Sequence, residues 1–71
     1  MSFDYSKLKG KIVEMYGTQD EFASALGVGR VTLSQRLNSK SDFNQLEICK
    51  SAELLHIKKS DIPIYFFTPK V

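Results

Sequence analysis

The sequence predicts an all-α fold of five short helices, and three observations lead to this prediction. Apolar residues recur three and four positions apart, the spacing that places them on one face of a helix. Residues 18–21 and 44–47 each begin with a capping side chain and end with Glu, the pattern of a helix capping box. No segment alternates apolar and polar residues convincingly, so no half-buried strand is predicted.

The first helix is predicted over residues 5–16. Asp4 or Ser6 is suited to cap its first turn, because a short polar side chain accepts a hydrogen bond from a free amide there. Gly17 is predicted to end the helix, as glycine commonly does just past the last helical residue. The apolar face of this helix comprises Leu8, Ile12, Val13 and Met15 or Tyr16.

The second and third helices are separated by a short link that contains glycine. Thr18 is predicted to cap the second helix, and Gly27 lies where a left-handed residue reverses the chain. The third helix is predicted to begin near Gly29 or Arg30 and to run to about Asn38, with Leu33 and Leu37, four positions apart, facing the core. The apolar face of the second helix comprises Phe22, Ala23, Ala25 and Leu26.

The fourth helix is predicted to begin after Asn44, which opens the second capping box. Ile57 follows this helix as a predicted core residue. Ser60 is predicted to cap a last short helix over residues 61–67, in which Pro63 is tolerated because it lies in the first turn. The apolar face of the fourth helix comprises Ile48, Cys49, Ala52 and Leu55, so Cys49 is expected to be buried.

Two alternatives stay open for the apolar segment near the C-terminus. It has more large apolar residues than the end of so small a domain needs for its core. Either all of them close the core, or some are exposed and promote self-association. These residues are Ile62, Ile64, Tyr65, Phe66 and Phe67.

Length and composition narrow the functional class. The 71 residues are enough for one domain, residues 1–71, whose core is so small that oligomerisation would help its stability. The single cysteine excludes an internal disulfide and suits a reducing cytoplasm. No apolar run approaches the roughly 20 residues that span a membrane, and the N-terminal segment has no signal-peptide pattern. No catalytic group or metal site is predicted, and no cofactor is implied.

Charge is distributed unevenly along the chain. Residues 22–41 include no Asp or Glu, and the charged residues among them are Arg30, Arg36 and Lys40. With a net charge of +2, the composition permits an anionic partner without requiring one. Three cations in a stretch of this length also arise by chance, and that alternative stays open.

Residues 18–38 resemble the helix-turn-helix of the lambda-repressor-like family, which includes the phage regulators of the Cro and CI type. The C-terminal part resembles the fourth and fifth helices of small phage regulators, so the resemblance covers nearly the whole chain. Departures include Gly29, where the family often has a serine cap, and Arg36, where it often has an apolar or small residue. The positions that match the family pattern are Gln19, Ala23, Gly27, Val28 and Leu33.

On this resemblance, the third helix enters the major groove of DNA and its outward face reads the bases. Arg30 would donate to guanine, Gln35 would pair with adenine, and Val31 would contact a thymine methyl group. The alternative is a solvated helix face without a partner. The predicted base-reading residues are Arg30, Val31, Ser34, Gln35 and Asn38.

A second group of side chains is predicted to hold the DNA backbone. Gln19 opens the second helix, where free amides favour an anion, and the glutamine of the resembling family contacts phosphate there. Lys40 and Ser41 are alternatively ordinary loop residues, and Asn44 is alternatively only a helix cap. The predicted phosphate-binding residues are Gln19, Thr32, Arg36, Lys40, Ser41 and Asn44.

The resemblance implies a phage or prophage repressor of the Cro type that binds double-stranded operator DNA as a homodimer. Two alternatives stay open: a modulator or antirepressor that binds a phage repressor protein, and the antitoxin of a toxin–antitoxin pair. The third helix discriminates between a DNA reader and a protein binder. A DNA reader needs Arg30 and Gln35 free and in basic surroundings, because phosphate attraction supplies much of its affinity.

Overall fold

The computed structural model of the chain describes residues 3–70, which form five α-helices and one 3-10 turn. The predicted all-α class is confirmed, since the strand pairing in this range is a single isolated bridge between Phe3 and Pro69. The helices are α1 (Ser6–Tyr16), α2 (Gln19–Leu26), α3 (Arg30–Leu37), α4 (Gln45–Leu54) and α5 (Ile62–Phe66), and the turn is Lys59–Asp61. Within residues 3–70, no helix has the length and apolar character that crossing a membrane requires.

Side chains cap α2 and α4 at the predicted positions. The Glu21 amide donates to Thr18 Oγ1 at 3.1 Å, which satisfies one of the free amides in the first turn of α2. The return bond from Glu21 is not formed among the described residues. At α4 the box is complete, because Asn44 Oδ1 accepts from the Glu47 amide at 2.8 Å and Glu47 Oε1 accepts from the Asn44 amide at 3.0 Å.

The link between α2 and α3 depends on Gly27. Its φ of +85° lies in the left-handed region, where a side chain is strained. Its amide donates to the carbonyl oxygen of Ala23 at 2.9 Å and closes the last turn of α2. The chain therefore turns sharply within residues 27–29, and α3 begins at Arg30.

One buried cluster joins the helices. Burying a large apolar side chain stabilises a fold by roughly 1.5–3 kcal/mol. Because Leu33 and Leu37 belong to this cluster, α3 turns its opposite face to solvent. The buried cluster comprises Tyr5, Leu8, Ile12, Phe22, Ala23, Leu26, Leu33, Leu37, Leu55 and Phe66.

The C-terminal segment differs from its prediction at Ser60 and divides between core and surface. Ser60 does not cap a helix; it lies inside the turn Lys59–Asp61, which leads directly into α5. Phe66 is 1% exposed and closes the core, whereas Ile64 and Phe67 are 44% and 47% exposed. Part of this segment is therefore core and part faces solvent.

The prediction that Cys49 is buried is wrong, because Cys49 is exposed. The buried side of α4 is formed by Ser51, Ala52 and then Leu55 just beyond the helix. At 100° per residue, Cys49 is rotated about 120° around the helix axis from Leu55. Cys49 is three positions from Ala52, which suggested a shared face. The buried side of α4 is instead centred between Ser51 and Leu55, away from Cys49.

The two ends of the described chain meet beside α5. The Asp4 amide donates to the carbonyl oxygen of Thr68 at 2.7 Å, next to the bridge between Phe3 and Pro69. The rings of Phe3 and Phe67 pack edge to face with their centroids 5.8 Å apart. These contacts hold α5 against the N-terminal segment and so keep the adjacent Phe66 in the core.

Candidate functional site

The outward face of α3 is the surface that the sequence predicts to meet a partner. The structure exposes four of the five predicted base-reading residues along α3 and the fifth, Asn38, directly after it. Val31 is 66% exposed, which is high for an apolar residue in an ordered helix. This face is accessible because the two leucines on the opposite side anchor the helix in the core.

Several polar groups on this face are already paired with one another. Arg30 Nη1 lies 3.2 Å from Asp20 Oδ2, so α3 and the start of α2 are joined by an exposed ion pair. Asn38 Nδ2 donates to Ser34 Oγ at 3.2 Å. Exposed ion pairs are weak, worth roughly 0–1 kcal/mol, but Asp20 still offsets the charge that a DNA phosphate would meet at Arg30.

A groove of about 460 Å³ runs between the start of α2 and the outward face of α3. Its charged residues are Asp20, Arg30 and Lys40, and the exposed acid Glu21 follows Asp20 directly. Two cations and two acids leave the surroundings nearly neutral, not basic as a DNA reader requires. The groove is lined by Gln19, Asp20, Arg30, Val31, Ser34, Gln35 and Lys40.

The predicted phosphate-binding residues do not form one surface. Gln19 and Lys40 line the groove beside α3, and Thr32 is half-buried on the flank of that helix. Arg36, Ser41 and Asn44 instead meet around Glu47 at the junction between α3 and α4. The six residues are therefore divided between an exposed groove and an internal contact.

The junction is a network of charge-assisted hydrogen bonds. Arg36 donates from Nε to Glu47 Oε1 at 2.9 Å and from Nη2 to Glu47 Oε2 at 3.2 Å. Arg36 Nη1 donates to Ser41 Oγ at 2.6 Å. The side chains of Arg36 and Glu47 are 21% and 13% exposed, so water screens this pair less than the one on α3. Arg36 thus ties the end of α3 to the first turn of α4.

The same network shifts the two ionisable groups. The hydrogen bond from Arg36 is the main cause that lowers the pKa of the Glu47 carboxyl, with a smaller opposing effect from burial. The bond to Glu47 likewise raises the pKa of the Arg36 guanidinium. Both groups are therefore charged near neutral pH, and each neutralises the other.

Sequence reasoning missed Leu46, which is 82% exposed in the first turn of α4. The position of Leu46 along α4 could have predicted this exposure. Leu46 is rotated about 160° around the helix from Ile48, so it faces away from the apolar stripe of α4. Glu47 was assigned only to the capping box, because nothing local links it to Arg36, eleven residues earlier.

Among residues 3–70, no three His, Cys, Asp or Glu side chains are grouped so as to hold a metal ion. His56 has a φ of +55° at the end of α4, a position that terminates the helix.

This chain is similar to a solved structure, the solution structure of the modulator of repression (MOR) of the temperate bacteriophage TP901-1 from Lactococcus lactis. The two sequences are 48% identical, the match covers 100% of this chain and 96% of that one, and the TM-score is 0.83. Among curated proteins, none matches this chain.

The comparison overturns the predicted function. Full-length similarity to a modulator of repression contradicts the prediction of a Cro-type repressor that reads operator DNA. The pairing of Arg30 with Asp20 agrees with this correction, since a DNA reader needs that arginine free. The prediction failed because positions such as Gly27 and Leu33 report how two helices pack, and one fold hosts many functions.

The predicted DNA contacts depended on that function and are not carried forward. Operator DNA, a homodimer and the antitoxin alternative receive no support from the similarity, whereas the alternative of a modulator does. A family model described as a protein of unknown function, DUF739, matches residues 1–69. This match spans nearly the whole chain, and the chain therefore belongs to the DUF739 family.

Proposed function

We propose that this chain is a phage regulatory protein that modulates repression by binding a repressor protein. The observation that carries the proposal is its similarity to the modulator of repression of bacteriophage TP901-1. At 48% identity over 71 residues, about 34 positions are shared, far more than the 12 buried side chains among residues 3–70. The shared positions therefore extend to the surface, where a common partner would be recognised.

The distribution of charge supports a protein partner. The ion pair on α3 and the network between α3 and α4 neutralise Arg30 and Arg36 within the molecule. The exposed surface of α3 and α4 is therefore a mixture of polar and apolar side chains, including Val31 and Leu46. Such mixtures are typical of protein interfaces, whereas nucleic-acid interfaces are strongly positive.

The test is a binding measurement with the repressor encoded in the genome that carries this chain. Isothermal titration calorimetry is expected to show a complex of the two proteins. In a gel shift, adding the chain is expected to change the amount of operator DNA that the repressor retains. The proposal is wrong if no complex forms, or if the chain alone shifts operator DNA in a salt-sensitive manner.

Two further points are proposed for the free protein. The described residues share one buried cluster, which supports a single domain that unfolds in one cooperative step. The homodimer predicted from the sequence stays a prediction. Sedimentation of the chain alone, and then with the repressor, measures both its own association state and the stoichiometry of the complex.

A further inference from the structure

Ser39, which lies just beyond α3, has a backbone conformation that serine rarely adopts. Its φ is +60°, in the left-handed region where a side chain is strained. This conformation helps to end α3, because the Lys40 amide then reaches back and donates to the carbonyl oxygen of Gln35 at 2.9 Å. Glycine adopts the same conformation without strain, so the end of the helix does not by itself require a serine.

The side chain of Ser39 makes a contact that glycine could not make. Ser39 Oγ donates to the carbonyl oxygen of Phe3 at 3.1 Å, and the two residues are 36 positions apart along the chain. The bond is partly buried, so water competes with it less than at an open surface. A strained backbone is therefore combined with a long-range hydrogen bond that joins the end of α3 to the N-terminal segment.

The segment that Ser39 contacts is paired with the other end of the described chain. The Asp4 amide donates to the carbonyl oxygen of Thr68 at 2.7 Å, beside the bridge between Phe3 and Pro69. Residues 3–4 and 68–69 are called the terminal clasp. Each of these four residues is exposed or half-buried, and none is among the buried core residues.

The terminal clasp has the features of a segment that opens without global unfolding. Local opening is easiest where few apolar contacts are buried and the backbone hydrogen bonds are exposed. The core does not depend on the clasp for its central aromatic contact, because Phe66 packs edge to face on Phe43 with centroids 5.3 Å apart. The hydrogen bond from Ser39 is therefore a substantial part of what holds the clasp closed.

We propose that the terminal clasp opens locally while the core stays folded, and that the hydroxyl of Ser39 holds it closed and couples it to the end of α3. Such a coupling is reciprocal. A contact that moves the end of α3 changes how often the clasp opens, and opening of the clasp loosens the end of α3. The clasp is therefore a conformational device through which an event on α3 reaches both ends of the described chain.

The test compares Ser39→Gly with His56→Gly. The two residues have similar positive φ values, +60° and +55°, so glycine relieves similar strain at both positions. The hydroxyl of Ser39 is bonded to Phe3, whereas the His56 side chain has no hydrogen bond within residues 3–70. His56→Gly is therefore a control for the backbone change alone.

Hydrogen exchange of single amides, measured by nuclear magnetic resonance, separates local from global opening. The Asp4 amide reports on the clasp, and the Leu33 amide, which donates to Gly29 at 3.0 Å, reports on the core. Ser39→Gly is expected to speed exchange at Asp4 about fivefold, as loss of one hydrogen bond does, with Leu33 within about twofold of wild type. His56→Gly is expected to leave Asp4 within about twofold and to slow exchange at Leu33.

A second variant at the same position separates the hydroxyl from the strain. Ser39→Ala removes the hydroxyl and keeps the left-handed backbone strained, so it is expected to speed exchange at Asp4 as Ser39→Gly does, and also at Leu33. Unchanged exchange at Asp4 in Ser39→Gly would overturn the proposal. Exchange at Asp4 that follows Leu33 in every variant would also overturn it, because the clasp would then open only with the core.

The coupling to α3 is tested from the opposite side of the clasp. Phe67→Ala removes the ring that packs on Phe3 and is expected to speed exchange of the Lys40 amide, which closes the end of α3, at least about twofold. Val13→Ala, at an exposed position on α1, is expected to leave this amide unchanged. Equal exchange at Lys40 in wild type and Phe67→Ala would show that the clasp and α3 are not coupled.

Discussion

Glu47 connects two helices through one carboxylate. Its oxygens accept from the Arg36 guanidinium at the end of α3 and from the Asn44 amide that begins α4. Both contacts are stronger when the carboxylate is charged, which is why its pKa is lowered. The relative placement of α3 and α4 therefore depends on the protonation of one group.

We predict that the protein loses stability in acid as Glu47 becomes protonated. A carboxyl whose pKa is lower in the folded state stabilises the protein above its ordinary value of 4.5, and this stabilisation is lost as the pH falls through the lowered value. Glu47→Gln removes this group and is expected to cost about 1–3 kcal/mol at neutral pH. Urea unfolding should show wild type losing more stability than the variant between about pH 5 and pH 3.

A second carboxyl, that of Asp4, also contributes to the pH dependence, and the comparison of wild type with the variant removes its effect. The pKa of Asp4 is also lowered, chiefly by the hydrogen bond from the Ser6 side chain. Asp4 is present in both proteins, so its contribution cancels when the two pH curves are subtracted. Parallel curves for wild type and Glu47→Gln would show that the network with Arg36 does not stabilise the fold.

Gly27 and Gly10 differ in backbone conformation. Gly27 has a φ of +85° in the link between α2 and α3, and an added Cβ would lie 3.4 Å from Lys50 Nζ. Gly10 lies within α1, and an added Cβ there would meet no atom within 4 Å. One glycine therefore permits a turn, whereas the other weakens a helix.

We predict that alanine has opposite effects at these two positions. Gly27→Ala is expected to destabilise the protein by about 1–2 kcal/mol, because alanine is strained in the left-handed region. Gly10→Ala is expected to stabilise it by about 0.5–1 kcal/mol, because alanine is the better helix former. Chemical unfolding of the two variants measures both, and effects of the same sign would contradict the assignment of the turn.

The stability of the fold depends on joining residues near both ends of the described chain to one small core. Phe66 from α5 packs edge to face on Phe43, with centroids 5.3 Å apart, while the adjacent Phe67 packs on Phe3 at the surface. A chain of 71 residues is typically stable by about 4–11 kcal/mol. The free energy contributed by a single buried side chain is a large share of that total.

We therefore predict unequal effects of alanine at two neighbouring phenylalanines. Phe66→Ala is expected to cost about 3–5 kcal/mol and to leave much of the protein unfolded near body temperature. Phe67→Ala is expected to cost about 1 kcal/mol, because its ring is half exposed. Thermal unfolding by circular dichroism distinguishes them. Equal losses would mean that the terminal contacts, not the core position of Phe66, stabilise α5.

Most helix boundaries can be predicted from the amino-acid sequence, because their signals are local. The caps at Thr18 and Asn44 and the glycine at position 27 act within a few residues, and they mark the start of α2, the start of α4 and the end of α2. The resemblance to a phage regulator family was informative for the same reason, since its matching positions concern how α2 and α3 pack. The resemblance did not predict the function, because the outward side chains of α3 can change while the packing of α2 on α3 is kept.

Which outward side chains stay free depends on how the helices pack against one another. Arg30 pairs with Asp20 and Arg36 with Glu47, contacts between residues 10 and 11 positions apart that exist only once the helices are placed. The exposure of Leu46 was decided in the same way, by which side of α4 meets the core. Helix formation depends on near neighbours along the chain, whereas a binding surface depends on what the packed helices leave uncovered.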